Sequence, residues 1–292
     1  MKVLLGCQPI TWKGDLATAA KEIAEIGFRG MEVGVPRDKR GMDRLRKLLD
    51  TYGLAATGCY FACSFLDRRR AEEEIRTVTE WAGRLAQIQC PRLILASSHR
   101  PHDRVLDREL FELFADGCNE TARRCFLEHG VETVLHNHAW TLMESPEEVD
   151  LICEMTDPKL VGMGFDTAHL AYGGGNPAHI FRKHIERVRY VHFKDLHQSL
   201  KRFDTIEKKN ANKPEHVFVE LGEGCLGERG LVAVLNVLRK AKYEGWIVAE
   251  LDSTSLAPKE ANAMNYRWLR DHLRENELGE CQLARGDQQD ET

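Results

Sequence analysis

The chain alternates short apolar runs with longer stretches in which apolar residues recur every three or four positions. Residues 3–7 form the first run, and Gln8-Pro9-Ile10-Thr11-Trp12 follows as a loop. Asp15 stands where a helix needs a cap. Leu16, Ala19, Ala20 and Ile23 then share one helical face, and Gly27 supplies the stop. Residues 31–34 read as a second strand, 42–52 as a helix closed by Gly53, and 54–60 as a third strand. The stretch 68–88 is helical; its opening charge run is a solvated face, and Glu72 and Arg76 sit at a favourable four-residue spacing. A fourth strand over 93–96 precedes a long helix over 107–129 that buries Leu110, Phe111, Phe114, Cys118, Cys125 and Phe126. Residues 131–135 are strand five. Ser145-Pro146-Glu147-Glu148 opens a helix with a serine cap and proline in its first turn. Strand six (161–165), helical spacing over 176–186, strand seven (189–193) and strand eight (247–251) complete the series.

Eight strands, each followed by a helix and none by a domain linker, predict an α/β fold: one closed parallel (β/α)8 barrel over residues 1–275. Two segments depart from the rhythm. A long polar, lysine-rich insertion after strand seven, 196–227, carries its own apolar run at 216–219, and loops of that length at a barrel mouth carry function or form a lid. The polar tail 276–292 is expected to be disordered.

Composition narrows the classes of function. A net charge of -5 over 292 residues leaves no footprint for nucleic acid. No 18-residue apolar run exists to span a membrane, and the N-terminal residues lead into a strand pattern without a cleavage region. Nine scattered cysteines without a C-x-x-C read as reduced thiols in a cytoplasmic protein, with Cys59 and Cys63 as buried filler.

The polar residues at the strand ends carry the chemistry. Side chains alternate faces along a strand, so His136 and His138 share a face with Val134, His192 and Lys194 with Tyr190, Glu250 and Asp252 with Val248, and Asp166 with Gly162 and Gly164. Four strands can therefore aim these groups into the lumen at their carboxyl ends, where barrel active sites lie. Singly, each has a plain structural role open to it. Together, the imidazoles of His136 and His192 with the carboxylates of Asp166 and Glu250 suit a divalent ion, Mn²⁺ or Co²⁺ first, with Zn²⁺ and Fe²⁺ as alternatives. Glu250 is the candidate carbon base. His138 and His169 are candidates for protonating a leaving group or orienting substrate, and Lys194, Trp12, Glu223 and Asp252 for lining the pocket.

Several pieces, in order along most of the chain, resemble the xylose isomerase-like barrels of the sugar phosphate isomerase/epimerase superfamily, and within them the inosose dehydratases. They are Gln8-Pro9-Ile10-Thr11-Trp12, Gly27 to Glu32, His136-Asn137-His138, Asp166-Thr167-Ala168-His169, Val191-His192-Phe193-Lys194-Asp195, Glu220 to Gly224 and Tyr243 to Glu250. The resemblance implies a sugar or cyclitol substrate, a divalent ion and a tendency to form homo-oligomers, with the insertion at such a contact. It places His136 where most of the superfamily has a metal-binding glutamate, a replacement that the dehydratases share. Losing one of two opposed bases favours elimination of water over reversible proton shuttling. Keto-sugar isomerisation or epimerisation and cleavage of a 3-keto-glycoside are the alternatives. A sugar-binding protein without turnover and an endonuclease-like barrel are the readings from other classes, and the acidic balance opposes the last.

Overall fold

A computed structural model gives the positions of residues 1–101 and 106–279. The strands are β1 (Lys2–Cys7), β2 (Gly30–Met31), β3 (Ala55–Ala56), β4 (Cys59–Cys63), β5 (Arg92–Ser97), β6 (Glu132–Leu135), β7 (Val161–Asp166), β8 (Val188–Phe193), β9 (Asp195–Leu196), β10 (Phe218–Val219) and β11 (Glu244–Ala249). The helices are α1 (Leu16–Ile26), α2 (Lys39–Tyr52), α3 (Arg68–Gln87), α4 (Arg108–His129), α5 (Pro146–Met155), α6 (Thr167–Tyr172), α7 (Pro177–Lys183), α8 (Ile206–Ala211), α9 (Gly227–Lys240) and α10 (Pro258–His272).

The main sheet is parallel in the order β3-β2-β1-β11-β8-β7-β6-β5-β4. Its two end strands are separated in sequence only by Thr57 and Gly58, so the ladder closes on itself and the expected barrel forms. The third strand is longer than its apolar run and broken in the middle. Its first piece pairs with β2 and its second with β5. Glycine makes room at the break: a Cβ on Gly58 would lie 2.7 Å from Ile94 Cδ1 and push that side chain aside. A plug of Ile94, Val134, Tyr190, Trp246 and Val248 fills the lumen, while the larger core lies between sheet and helices.

The helix starts follow their cap residues. Asp15 accepts from Thr18 N at 3.1 Å, and Ser145 and Glu148 form a reciprocal capping box at α5. Four local expectations are corrected. Glu72 pairs with Arg124 of α4, at 2.8 and 3.0 Å, and not with Arg76, because that contact ties two packed helices together. Phe126 is 52% exposed, one step past the buried face that ends at Cys125. The segment after β7 holds two helices: Asp166 caps α6, and α7 gives way to a 3-10 turn over Ile185–Arg187. The start of the tail is docked, with Leu278 bridging Val3 and Glu277 paired to Arg239 at 2.9 Å. Residues 280–292 lie outside the described residues.

The insertion folds over the carboxyl mouth. β9 and β10 pair antiparallel, and Leu196, Leu200 and Phe218 bury against Ala139, Ala168 and Tyr172. Asp195 gathers its base by accepting from the backbone N–H groups of Leu196, Gly222, Gly224, Leu226 and Gly227. The eight cysteines among the described residues are free, and among those residues no helix is long and apolar enough to cross a membrane.

Candidate functional site

One strand position pattern builds the site. Val134, Gly164, Tyr190 and Val248 form or border the apolar plug, and two residues further on, at the next inward position, stand His136, Asp166, His192 and Glu250. Hydrogen-bonded register puts Asp166 beside His192 on β7 and β8, and His192 beside Val248 on β11. All four side chains are buried. One ligand atom from each of His136, Asp166 and His192 lies within 4.8 Å of the others, and Glu250 Oε2 lies 3.2 Å from His192 Nδ1.

The donor set fits a divalent ion. Asp166 Oδ1 accepts from His169 N at 2.8 Å, but its buried Oδ2 has no hydrogen-bond partner, an arrangement that costs free energy unless a cation meets it. His136, His138 and His169 also bring ligand atoms within 4.8 Å of one another. Lys194 Nζ, however, lies 3.4 Å from His169 Nε2, and a second cation there would be repelled. The set containing Asp166 is the better one.

Lys194 is completely buried, with Glu250 Oε1 at 2.9 Å and Asp252 Oδ1 at 2.6 Å. Burial alone would lower its pKa; Asp252 and Glu250 outweigh that and raise it, so the ammonium persists. For Glu250, burial pushes up, yet Lys194, His192 and His136 hold the carboxyl well below its ordinary range. Burial likewise raises Asp166 and lowers His136, His138 and His169.

The backbone of one residue sorts the outer pair of histidines. Ala139 O accepts from His138 Nδ1 at 2.7 Å, which leaves His138 Nε2 bare. Ala139 N–H donates to His169 Nδ1 at 3.2 Å, so neutral His169 carries its hydrogen on Nε2, toward Lys194. Lys194 and His169 thus form a pair of donors that can converge on one oxygen. The insertion closes this side: Phe218 lies edge-on to His169, and Lys194 Nζ sits 4.2 Å from the Phe218 ring centre.

The other expected residues divide. Asp252 joins through Lys194. Trp12 does not: it is core, its Nε1 donating to Glu22 at 2.6 Å. Glu223 is exposed on the turn that follows the insertion's short hairpin. Phe218, Tyr60 and Glu32 belong to the neighbourhood without having been singled out. Tyr60 lies edge-on to His136, and a cavity of about 260 Å³ bordered by Gln8, Ile10, Glu32, Val33 and Tyr60 opens beside it. Glu32 had a legible signal, a carboxylate two positions after Gly30 at the end of a short apolar strand.

The closed parallel barrel is the architecture of the xylose isomerase-like TIM barrels, whose family model matches residues 20–274; the chain belongs to that family. Curated relatives include the inosose dehydratase of Geobacillus kaustophilus, 31% identical over 85% of this chain and 87% of its own. That of Clostridium beijerinckii is 30% identical over 91% and 94%. Among solved structures, the IolI protein with a bound zinc atom superposes with a TM-score of 0.73, at 16% identity over 93% of this chain and 98% of its own. A D-tagatose 3-epimerase-like protein gives 0.72, at 18% identity over 93% and 97%. At these identities the solved structures are evidence of fold alone.

Proposed function

We propose that the protein is a divalent-metal-dependent dehydratase that removes water from a keto-polyol or keto-sugar of the inosose type through an enediolate. The observation that carries it is the unpartnered, buried Oδ2 of Asp166 among His136, His192 and Glu250. Charge supports it too. Among the described residues Glu32, Asp166 and Glu250 are buried carboxylates. Lys194 answers Glu250, and His192, which burial would lower but Glu32 and Glu250 raise to about 9, answers Glu32. Asp166 is the one left without an ion pair, where a cation would sit. The names of the curated relatives supply the substrate class.

His136, Asp166, His192 and Glu250 would hold the ion. When bound, it would supply Lewis acidity to a ketone oxygen, lowering the barrier to loss of the neighbouring proton by about several kcal/mol. Glu250, which burial would neutralise and Lys194, His192 and His136 hold ionised, takes that proton. Its low basicity is why the carbon acid must first be activated. The ammonium of Lys194 gives its proton to the departing hydroxyl and recovers one from Glu250, 2.9 Å away, while the Nε2–H of neutral His169 hydrogen-bonds to the same oxygen and the bare Nε2 of His138 accepts from a substrate hydroxyl and fixes its orientation.

Incubation with 2-keto-myo-inositol in deuterated water is the test. The expected result is growth of enone or dione absorbance. Deuterium uptake at the α carbon without that absorbance would replace elimination by epimerisation, and neither signal would make the protein a binder of sugars.

A further inference from the structure

We infer that Glu32 is a positioning residue for the metal centre: it fixes the tautomer of His192, so that Nδ1 faces the ion and Nε2 keeps the hydrogen. The inference rests on the metal-site reading above and extends it to a residue outside the ligand set.

The geometry is specific at both edges of the ring. His192 Nε2 meets Glu32 Oε1, a carboxylate oxygen that can only accept, so Nε2 must donate. The opposite edge, Nδ1, faces the other candidate ligands, with Glu250 Oε2 and His136 Nδ1 each at 3.2 Å, so an ion bound among them would replace a hydrogen on Nδ1 while the one on Nε2 stays with Glu32. A metal-ligating histidine needs a bare nitrogen toward the ion, and a carboxylate on its other nitrogen orients the ring and makes it a stronger ligand. Glu32 is itself held. Tyr190 OH donates to the same Oε1 at 3.0 Å and lies 2.8 Å from Thr57 Oγ1, and all three residues are buried. A chain of hydrogen bonds therefore runs from Thr57, at the break in the third strand, through Tyr190 and Glu32 to His192. It crosses the lumen just below the ligands. A buried carboxylate in such a place costs folding free energy, and service to His192 gives it a reason to be there.

Metal-stripped protein titrated calorimetrically with Mn²⁺ tests this. Glu32→Gln keeps the size and an acceptor oxygen but loses the charge, and is expected to bind Mn²⁺ about 10–100-fold more weakly than wild type. Tyr190→Phe leaves the Glu32–His192 contact in place and is expected to lose less than Glu32→Gln. Circular dichroism of both stripped variants reports whether the barrel has formed. If wild type binds Mn²⁺ and a folded Glu32→Gln binds it equally well, Glu32 does not position the centre. If wild type itself binds no divalent ion, it is the metal-site reading that fails. Should Glu32→Gln not fold, the folded Tyr190→Phe decides: affinity unchanged from wild type overturns the relay, and a measurable loss supports it. In Co²⁺-loaded protein, the visible absorption bands should shift in Glu32→Gln, as they would not for a side chain that only props up the barrel.

Discussion

The ammonium of Lys194 has no solvent contact and is carried by Glu250, Asp252 and the face of Phe218. Its neighbours explain its charge, and its charge explains how Glu250 can be ionised in a buried site. Lys194→Met should therefore remove a donor aimed at the leaving oxygen. The expected outcome is a fall in kcat of about 10²–10³-fold with little change in KM, read from steady-state kinetics, while elemental analysis finds the ion still bound. Single residues were legible where alternation along a strand could be tested. His136, Asp166, His192 and Glu250 each lie two positions after a residue that faces the lumen. Trp12 was not legible in that way. An indole on a one-turn helix after a strand has no periodicity to say whether it faces mouth or core, and the hydrogen bond to Glu22 that holds it inward joins residues whose packing the sequence does not display.

At the scale of elements, the insertion and the loop after β6 act as one cover. Trp140 adopts a left-handed backbone conformation, φ 68°, held by Glu144 accepting from its N–H at 2.8 Å, while Arg100 pairs with Glu144 and Glu148 below it. Its indole donates to Asn210 Oδ1 at 2.7 Å, Tyr172 donates to the same oxygen at 2.6 Å, and Lys213 Nζ sits 3.9 Å from the indole ring centre. Trp140→Ala should release α8 from the barrel. Limited proteolysis is expected to cut within 198–217 faster than in wild type, with KM raised and Tm lowered by less than about 4 °C, since the main core is untouched. The apolar periods marked most of the barrel's strands and helices because each element buries one side. They missed α6, which is only six residues long and is capped by Asp166 at the very end of β7. They also missed the break in the third strand, because closing a barrel is decided by non-local packing such as that of Gly58 on Ile94.

For the molecule as a whole, the barrel's apolar plug is the floor and the insertion the roof of a chamber whose polar groups come from strands far apart in sequence. Burying several carboxylates there is costly unless cations answer them. The account therefore depends on one doubly charged ion at the mouth. The most direct measurement is turnover of 2-keto-myo-inositol by protein stripped with a chelator, compared with the same protein after one equivalent of Mn²⁺ or Co²⁺ is restored. The expected result is loss of enone formation on stripping and its return at about one ion per chain. Undiminished activity in protein shown by elemental analysis to be free of metal would contradict the account.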